Sequence, residues 1–296
     1  MRSFRTMTPD AIGLNLLAIV VLGVIAFATI FPFFILVINS FASEHAIINF
    51  GYAVVPKEFS LSAYELVFLN PAKILRAYGI TLFITVVGTG ASLFLSAMAA
   101  YTLSRKDVKY RNVLAFFLYF TTLFSGGLAP TYIVITTILH LKNSILILLL
   151  SPMFSVLYIL ILRNFFLNSI PTSIIESAKI DGAGDFTIFL RIVLQLMTPA
   201  LASIGLFTAL AYWNDWWTAM LYVERTSLQP LQYVLYQILS SVTLAANIVN
   251  NVATLNMPKE TLKLAMTVIS IGPIILAYPF AQRYFVKGIT LGAIKG

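Results

Sequence analysis

Residues 169–186 read SIPTSIIESAKIDGAGDF, and the local chemistry of this stretch predicts a short helix, a sharp turn and a second helix. Ser173 and Glu176 have the spacing of a capping box, in which each side chain satisfies the other's free backbone N–H. Gly182 tolerates the left-handed backbone conformation that often ends a helix, and Asp185 can cap the helix that follows. We therefore expect one helix from about Ser173 to Gly182 and another from Asp185.

The first of these helices is predicted to be amphipathic. Its apolar side chains are Ile174, Ile175, Ala178 and Ile180, and its polar ones are Glu176, Lys179 and Asp181. A compact helix of this kind fits a groove on a protein partner. It would equally rest on lipid headgroups, where apolar residues beside Lys179 suit the interface. The residues of the helix leave both interpretations open.

The sequence around this stretch is too apolar for a solvated protein. Of the 296 residues, 59% are hydrophobic and 10% are charged, which indicates that the bilayer is the solvent. A helix needs roughly 20 mostly apolar residues to cross a hydrocarbon core of ~30 Å. Six runs meet that length, so we predict an all-α membrane protein with six transmembrane helices in a single domain, residues 1–296, with spans at about 12–41, 74–103, 113–139, 144–166, 199–223 and 262–284.

Lys and Arg residues at the ends of these runs predict the orientation. The short turn from Arg105 to Arg111 is dense in cations and lies between two strong spans, which favours the cytoplasmic side for it. Both termini and the long connection 167–198 are then cytoplasmic. The first run is too long for a cleavable signal, so we expect it to be retained as a helix. The net charge of +8 follows mostly from this topology, and a nucleic-acid partner is not expected because no soluble basic domain exists.

Glycine and proline interrupt several of the runs. Gly126, Gly127 and Pro130 lie within the third run, and we predict a break there. A break at membrane depth must be satisfied by neighbouring groups or must line a watery cavity. For Gly88 and Gly90 in the second run, close packing between helices is the better interpretation.

The fifth run contains the one carboxylate at depth, Asp215, flanked by Trp213, Asn214 and Trp216. A buried carboxylate is costly unless it faces a polar cavity or a partner. Aromatic planes beside amide and carboxylate acceptors suit the apolar faces and hydroxyls of sugars, so these four residues are candidates for a substrate pathway. An aromatic belt at the outer interface, with Asp215 solvated, is the alternative.

Other kinds of chemistry find little support. The chain has no cysteine, which excludes disulfides and thiolate metal sites. His45 and His140 have no apparent partner in the sequence, so we predict neither an enzyme nor a metal site. There is no phosphate-binding loop of the Gly-x-x-x-x-Gly-Lys-Ser/Thr type, so ATP should not bind this chain. An ion-coupled secondary transporter is the alternative transport class, although the spans offer little beyond Asp215 to relay protons.

The 167–198 connection also resembles a known motif. Glu176-Ser177-Ala178, then Gly182, then Ile192 and Leu194 resemble the "EAA" loop of permeases in ATP-binding-cassette (ABC) importers, with Ser177 in place of an alanine. Gln195 stands where that family usually has proline, which leaves open the bend into the fifth helix, and Pro199 matches a second proline of the carbohydrate branch. Further segments resemble sugar permeases of the maltose-importer type: residues 76–82, 99–105, 124–130, 213–216 and 282–288. Two of them, 124–130 and 213–216, look most like the branch that imports complex oligosaccharides, including alginate.

This resemblance implies a type I ABC importer permease fold, in which a cytoplasmic coupling helix docks in a cleft of an ATPase subunit. The residues that it assigns to ATPase coupling are Glu176, Ser177, Ala178, Asp181 and Gly182. The implied partners are a second homologous permease subunit, two ATPase subunits that bind ATP and Mg, and a periplasmic or lipid-anchored sugar-binding protein at a bacterial inner membrane. This chain itself is expected to bind no cofactor.

The C-terminal residues 287–296 resemble the tail that reaches between the ATPases in the maltose type, with Lys295 and Gly296 at its end. A basic end held at anionic lipid is the alternative. Taken together, the resemblance predicts a subunit that translocates oligosaccharides, acidic and alginate-like by branch, through alternating access coupled to partner ATPases.

Overall fold

The computed structural model describes residues 9–248 and 258–275, and within these ranges the chain is helical with no strand. This confirms the predicted all-α architecture. Two π-helical turns, Val134–Ile138 and Phe189–Val193, and a 3-10 turn, Thr226–Leu228, join some of the helices. The α-helices are α1 Pro9–Asn39, α2 Glu44–Phe50, α3 Ser62–Val67, α4 Pro71–Ser104, α5 Arg111–Leu123, α6 Leu128–Ile133, α7 Ile145–Leu150, α8 Val156–Ser169, α9 Thr172–Ile180, α10 Asp185–Ile188, α11 Leu194–Leu196, α12 Thr198–Trp213, α13 Trp217–Tyr222, α14 Leu231–Ile248 and α15, residues 260–275.

The described residues group into two compact units. The N-terminal unit contains residues 9–69 with 238–248 and 258–272, and the central unit contains residues 70–237 with 273–275. The 167–198 connection and the predicted substrate residues all lie in the central unit.

In the N-terminal unit, α1 matches the predicted first span. Its segment Gly13–Asn39 is long and apolar enough to cross a membrane, and none of its most apolar window is buried inside the protein. At its end the buried side chain of Asn39 donates to the carbonyl of Ala53 at 2.7 Å and accepts from the N–H of Ala53 at 3.0 Å. This amide pair fixes the chain where it leaves the helix.

A remote carboxylate caps α15 in the same unit. The buried side chain of Glu44 accepts hydrogen bonds from the N–H of Glu260 at 2.9 Å, and from the N–H and hydroxyl of Thr261 at 3.0 and 2.9 Å. The first N–H groups of a helix have no partner within it, and a negative charge is favoured there.

The expectation that His45 has no partner is wrong, because its Nδ1 lies 3.5 Å from a carboxylate oxygen of Glu58.

The central unit is built on α4. This helix begins at Pro71, with the side chain of Asn70 accepting from the N–H of Lys73 at 3.1 Å, and it packs along α8 and α12. The buried cluster between these helices contains Ala97, Ala100, Tyr101 and Leu103 of α4, Ile159, Leu162 and Phe166 of α8, and Ile204 of α12. It also includes six residues of the 167–198 connection: Ile170, Ala178, Ile188, Phe189, Val193 and Met197. The connection is therefore anchored in the core of this unit.

Close packing through glycine is confirmed at one of the two predicted positions. A Cβ atom added to Gly88 would lie 2.4 Å from Cζ of Tyr212, so α4 and α12 meet there at a distance that only glycine allows. A Cβ atom on Gly90 would meet nothing within 4 Å. The packing interpretation of Gly90 is therefore wrong within this chain.

The predicted runs differ in continuity. Among the described residues, two helices are long and apolar enough to cross a membrane alone, and three bent helix pairs raise that number to five if each pair is one span. The second run, 74–103, lies within α4. The fourth is interrupted at residues 151–155, where Pro152 cannot donate a helical hydrogen bond, and the fifth is interrupted at 214–216. The sixth run is helical to residue 275, and its remainder lies outside the described residues.

The predicted break in the third run is confirmed. Residues 124–127 separate α5 from α6, and the two segments meet at a bend of 116°. Gly127 has φ +85°, a conformation that L side chains rarely adopt. Pro130 lies in the first turn of α6, where a missing N–H removes no helical hydrogen bond.

Candidate functional site

Helix α9 begins differently from the prediction. It leaves the axis of α8 at a bend of 79° and starts at Thr172, after Pro171 in extended conformation, with no side chain capping its first N–H groups. Ser173 and Glu176 therefore both lie inside the helix, and the predicted capping box is wrong. The reason is that Pro171 already supplies the extended backbone of a helix entrance, two residues before Ser173.

The end of α9 is as predicted. Gly182 has φ +81°, its N–H donates to the carbonyl of Lys179 at 3.0 Å, and the N–H of Ala183 donates to the carbonyl of Ala178 at 2.9 Å. This pair of bonds is a Schellman motif, which requires a left-handed residue at the position of Gly182. Asp181 is the last half-helical residue and is exposed.

The predicted cap of the next helix is wrong. Gly184 precedes α10 in extended conformation, and Asp185 is the first helical residue, without a capping bond to the backbone. Its carboxylate instead pairs with the guanidinium of Arg105, at the end of α4. A long-range charge has replaced the local hydrogen bond.

The apolar residues of α9 divide between two surfaces, whereas the sequence predicted one. Ala178 is buried and Ile175 packs partly against the same cluster. Ile180, by contrast, is 86% exposed and Ile174 is 38% exposed. The surface with Ala178 and Ile175 anchors the helix to the core of its own chain. The surface with Ile174 and Ile180 is exposed and can contact another molecule.

The acidic residue of α9 lies on the exposed side. Glu176 and Ser177 are exposed, and within the described part of the chain no ion pair or hydrogen bond involves the Glu176 carboxylate. Beyond the turn, Phe186 is also exposed, at 59%. The connection thus presents a carboxylate beside large apolar side chains.

The bend into α12 forms without proline at position 195. The segments Asp185–Leu196 and Thr198–Trp213 meet at 79°. Pro199 has no N–H, so it cannot donate to the carbonyl of Gln195, and the hydroxyl of Thr198 donates to that carbonyl instead, at 2.8 Å. Pro199 and Thr198 together account for the bend.

Four charged side chains tie α9 to the end of α4. We call Arg105, Asp107, Lys179 and Asp185 the charge ring: Arg105 pairs with Asp107 and with Asp185, and the Lys179 amino group lies 2.9 Å from Asp107 and 3.8 Å from Asp185. Hydrogen bonds from Arg105 and then from Lys179 hold the pKa of Asp107 well below its usual range. A groove of about 290 Å³ lies beside the ring, lined by Lys106, Phe166, Glu176 and neighbouring residues.

Sequence reasoning missed this ring. It used Arg105 only as a topological signal and Asp185 only as a cap. Asp107 was the available signal, because it is an acidic residue within an otherwise basic turn. One of its partners, Lys179, lies 72 residues away, so the identity of that partner required the fold.

The second candidate group lies where α12 ends and α13 begins. The side chain of Asp215 accepts from the N–H of Thr218 at 3.0 Å, so the carboxylate satisfies a free donor at the start of α13. Asn214 is exposed and accepts from Gln232 at 3.3 Å. Trp213 is buried, while Trp216 stacks on Tyr236 with ring centroids 4.6 Å apart. The four residues are neighbours but do not face one cavity together.

A cavity of about 490 Å³ is lined by residues at two helix breaks. Ser125 and Gly127 come from the break between α5 and α6, and Trp217 and Thr218 from the start of α13. Backbone that leaves helical geometry inside a membrane is tolerated where it lines such a cavity. Trp217, which also flanks Asp215 in the sequence, is therefore a further candidate. Lys295 and Gly296 lie outside the described residues.

Residues 92–291 match the family model described as "Binding-protein-dependent transport system inner membrane component". The chain is 39% identical, over 92% of its length and 94% of the relative's, to the polygalacturonan/rhamnogalacturonan transport system permease protein YtcP of Bacillus subtilis (strain 168). It is also 39% identical to Protein LplC of the same organism, over 94% of this chain and 93% of that protein.

A solved structure has a similar fold. It is described as a bacterial ABC transporter involved in the import of the acidic polysaccharide alginate, and one of its chains superposes with a TM-score of 0.75 and 29% identity. The match covers 94% of the present chain and 99% of that chain. The type I fold predicted from the resemblance is thereby supported over nearly the whole length.

Proposed function

Because the chain belongs to the family of binding-protein-dependent transport system inner membrane components, we propose that it is a transmembrane subunit of an ATP-driven oligosaccharide importer. In this proposal it takes its substrate from a periplasmic or lipid-anchored sugar-binding protein. It works with a second homologous permease subunit and two ATPase subunits. The two permeases form the pathway, which opens alternately to either side of the bacterial inner membrane.

The observation that carries the proposal is the form of α9. The helix is anchored by Ala178 in the core, ended by the Schellman turn at Gly182, and exposes Glu176 beside Ile180. An exposed carboxylate with apolar neighbours on a rigid short helix suits insertion into a cleft that contains a cation and an apolar wall. We assign this surface to the ATPase, with Glu176 paired to a cation of the cleft and Ser177 and Asp181 at its edge.

This assignment requires the 167–198 connection and both termini to be cytoplasmic, as the basic turn 105–111 indicates. ATP and Mg then belong to the partner ATPases, and this chain carries no cofactor. The tail ending in Lys295 and Gly296 is proposed to reach between the ATPases, on the basis of the family resemblance alone.

The substrate class is proposed from two relatives. One is a permease for polygalacturonan and rhamnogalacturonan, and the similar structure belongs to an alginate importer. Polygalacturonan and alginate are both chains of uronic acids, in which each sugar carries a carboxylate. We therefore propose that the cargo is an acidic oligosaccharide, and that Trp213, Asn214, Asp215 and Trp216 flank its pathway near the cavity formed by the two helix breaks.

Transport by the assembled complex tests the function. The transporter, purified through a tag on this chain and reconstituted in liposomes, is supplied with its sugar-binding protein on the side opposite the ATPases. It should import labelled trigalacturonate or an alginate trimer only when ATP is present on the ATPase side. The alternative, ion-coupled transport, predicts uptake driven by a proton or sodium gradient without ATP. Uptake that follows the gradient and ignores ATP would refute the proposal.

A further inference from the structure

The charge ring connects three segments that are distant in sequence. Arg105 ends α4, Asp107 lies in the turn after it, Lys179 lies on α9 and Asp185 begins α10. Positive and negative side chains alternate around the ring, so each has an opposite charge on both sides. An isolated surface ion pair contributes about 0–1 kcal/mol, and only a network or good geometry makes such pairs matter. This ring has both features.

Arg105 is the sheltered member of the ring. Its side chain is 9% exposed, whereas Asp107, Lys179 and Asp185 are between 41% and 62% exposed. The guanidinium lies 5.4 Å from the ring centroid of Tyr101 and donates to the Tyr101 hydroxyl at 3.1 Å. Tyr101 in turn belongs to the buried cluster between α4 and α8. The ring is thus fixed to the core through Arg105.

A second contact holds the same end of α4. The Nε of Arg163, on α8, donates to the carbonyl of Leu103 at 3.2 Å. The end of α4 is therefore bound to α8 on one side and to α9 and α10 on the other. Apolar contacts of Ala178 with the cluster are non-directional and permit sliding. Planar guanidinium–carboxylate pairs fix geometry as well as distance.

We propose that the charge ring is the joint that makes α4 follow α9, with Arg105 as a positioning residue. This inference rests on the proposed function, because it assumes that a partner ATPase displaces α9. Movement of α9 then carries the carboxylate of Asp185 and the amino group of Lys179. The guanidinium of Arg105 transmits that movement to α4, which packs along α8 and α12. Helix α4 thus receives the signal through side-chain charges in addition to the continuous backbone.

The test compares two variants that each remove one positive charge from the same turn. Arg105→Met deletes the sheltered guanidinium, and Lys109→Met, the matched control, deletes a lysine that is exposed and outside the ring. The readout is the number of trigalacturonate molecules imported per ATP hydrolysed by the reconstituted transporter. A merely structural role lowers the amount of complex but does not change this ratio.

We expect Arg105→Met to lower the ratio at least about fivefold, the lower end of couplings between distant sites, while the ATPase subunits stay bound and Lys109→Met behaves as wild type. Arg105→Lys should give an intermediate ratio, because an amine lacks the fork that reaches two carboxylates. An unchanged ratio in Arg105→Met overturns the inference. Should Arg105→Met fail to assemble, Asp185→Asn removes one negative charge of the ring at an exposed carboxylate. A wild-type ratio of imported trigalacturonate to hydrolysed ATP in Asp185→Asn overturns the inference as well.

Failure of the inference is distinguishable from failure of the proposed function. A wild-type transporter without ATP-dependent uptake refutes the function and the inference together. A wild-type transporter with such uptake, whose ring variants keep the full ratio, refutes the inference alone.

A measurement of distance gives a readout that does not depend on transport. Spin labels are placed on Ser173→Cys of α9, an exposed residue, and on Leu82→Cys of α4, and these are the only cysteines of the chain. In the wild-type background their separation should stay the same when ATP and vanadate are added. In the Arg105→Met background it should change on that addition, and an unchanged separation contradicts the joint.

Discussion

At the scale of single residues, two glycines of one turn have different conformations. Gly182 has φ +81° and Gly184 has φ −68°, and a Cβ atom on either would meet nothing within 4 Å. A substitution therefore tests the backbone conformation without steric overlap. Left-handed backbone costs a non-glycine residue roughly 1–2 kcal/mol.

We accordingly expect Gly182→Ala to destabilise the turn by about 1 kcal/mol and to weaken transport coupling, while Gly184→Ala changes little. Thermal unfolding of the purified transporter and the uptake-to-hydrolysis ratio measure the two effects. Equal behaviour of the two alanine variants would show that the left-handed turn has no role of its own.

Asp107 gives a prediction about pH at the same scale. Its pKa is held well below the usual range by Arg105 and Lys179. A carboxyl with a lower pKa in the folded state stabilises that state above the unfolded value of about 4, and the stabilisation is lost as pH falls through the folded pKa. The difference in melting temperature between wild type and Asp107→Asn should be constant from about pH 5 to 8 and should shrink below about pH 4. A difference that instead varies around pH 6 to 7 would assign the effect to another group.

At the scale of elements, the contact between α4 and α12 depends on Gly88. A methyl group there would overlap the ring of Tyr212, and overpacking of this kind typically costs about 1–3 kcal/mol. We expect Gly88→Ala to lower the thermal stability of the purified protein. Gly90→Ala, in the same helix with free space around it, should be neutral or slightly stabilising, since alanine favours helices over glycine by up to about 1 kcal/mol. Equal losses in both would refute the packing account.

The capping of α15 by Glu44 is a second prediction for elements. Glu44→Ala would leave the N–H groups of Glu260 and Thr261 without their acceptor, and an unsatisfied buried donor costs about 1–3 kcal/mol. Amide hydrogen exchange in the first turn of α15 should become faster in this variant. Glu65→Ala, at another acidic residue of the N-terminal unit, serves as control. Unchanged exchange in Glu44→Ala would show that water replaces the carboxylate.

The ends and breaks of helices could be predicted from the sequence where a single residue determines them, and not where a distant residue does. The turns at Gly182 and Gly127 could be predicted from the sequence, because both residues have positive φ and glycine alone adopts that conformation without steric cost. The caps predicted at Ser173 and Asp185 are wrong for two reasons. Pro171 takes the N-cap position of α9 in place of Ser173, and the distant Arg105 binds the Asp185 carboxylate that was expected to cap α10. The breaks at 151–155 and 214–216 were missed because an apolar run specifies burial in lipid but not helical continuity.

At the scale of the whole molecule, the chain is a membrane protein whose exposed apolar helices and exposed α9 surface both require other components. From Gly13 to Phe34 the side chains of α1 are largely exposed, as expected for a helix that contacts lipid or a partner subunit. The family implies such partners, and we propose that α9 contacts an ATPase subunit among them.

Site-directed photo-crosslinking tests that claim most directly. A benzophenone attached to Ser177→Cys, on the exposed side of α9, should form an adduct with the ATP-binding subunit in the assembled transporter. The same label on Ser227→Cys, an exposed serine on the predicted outer side, should form none with that subunit. An ATPase adduct from residue 177 alone is the predicted result, and an adduct from residue 227 alone would contradict both the coupling role of α9 and the orientation of the chain.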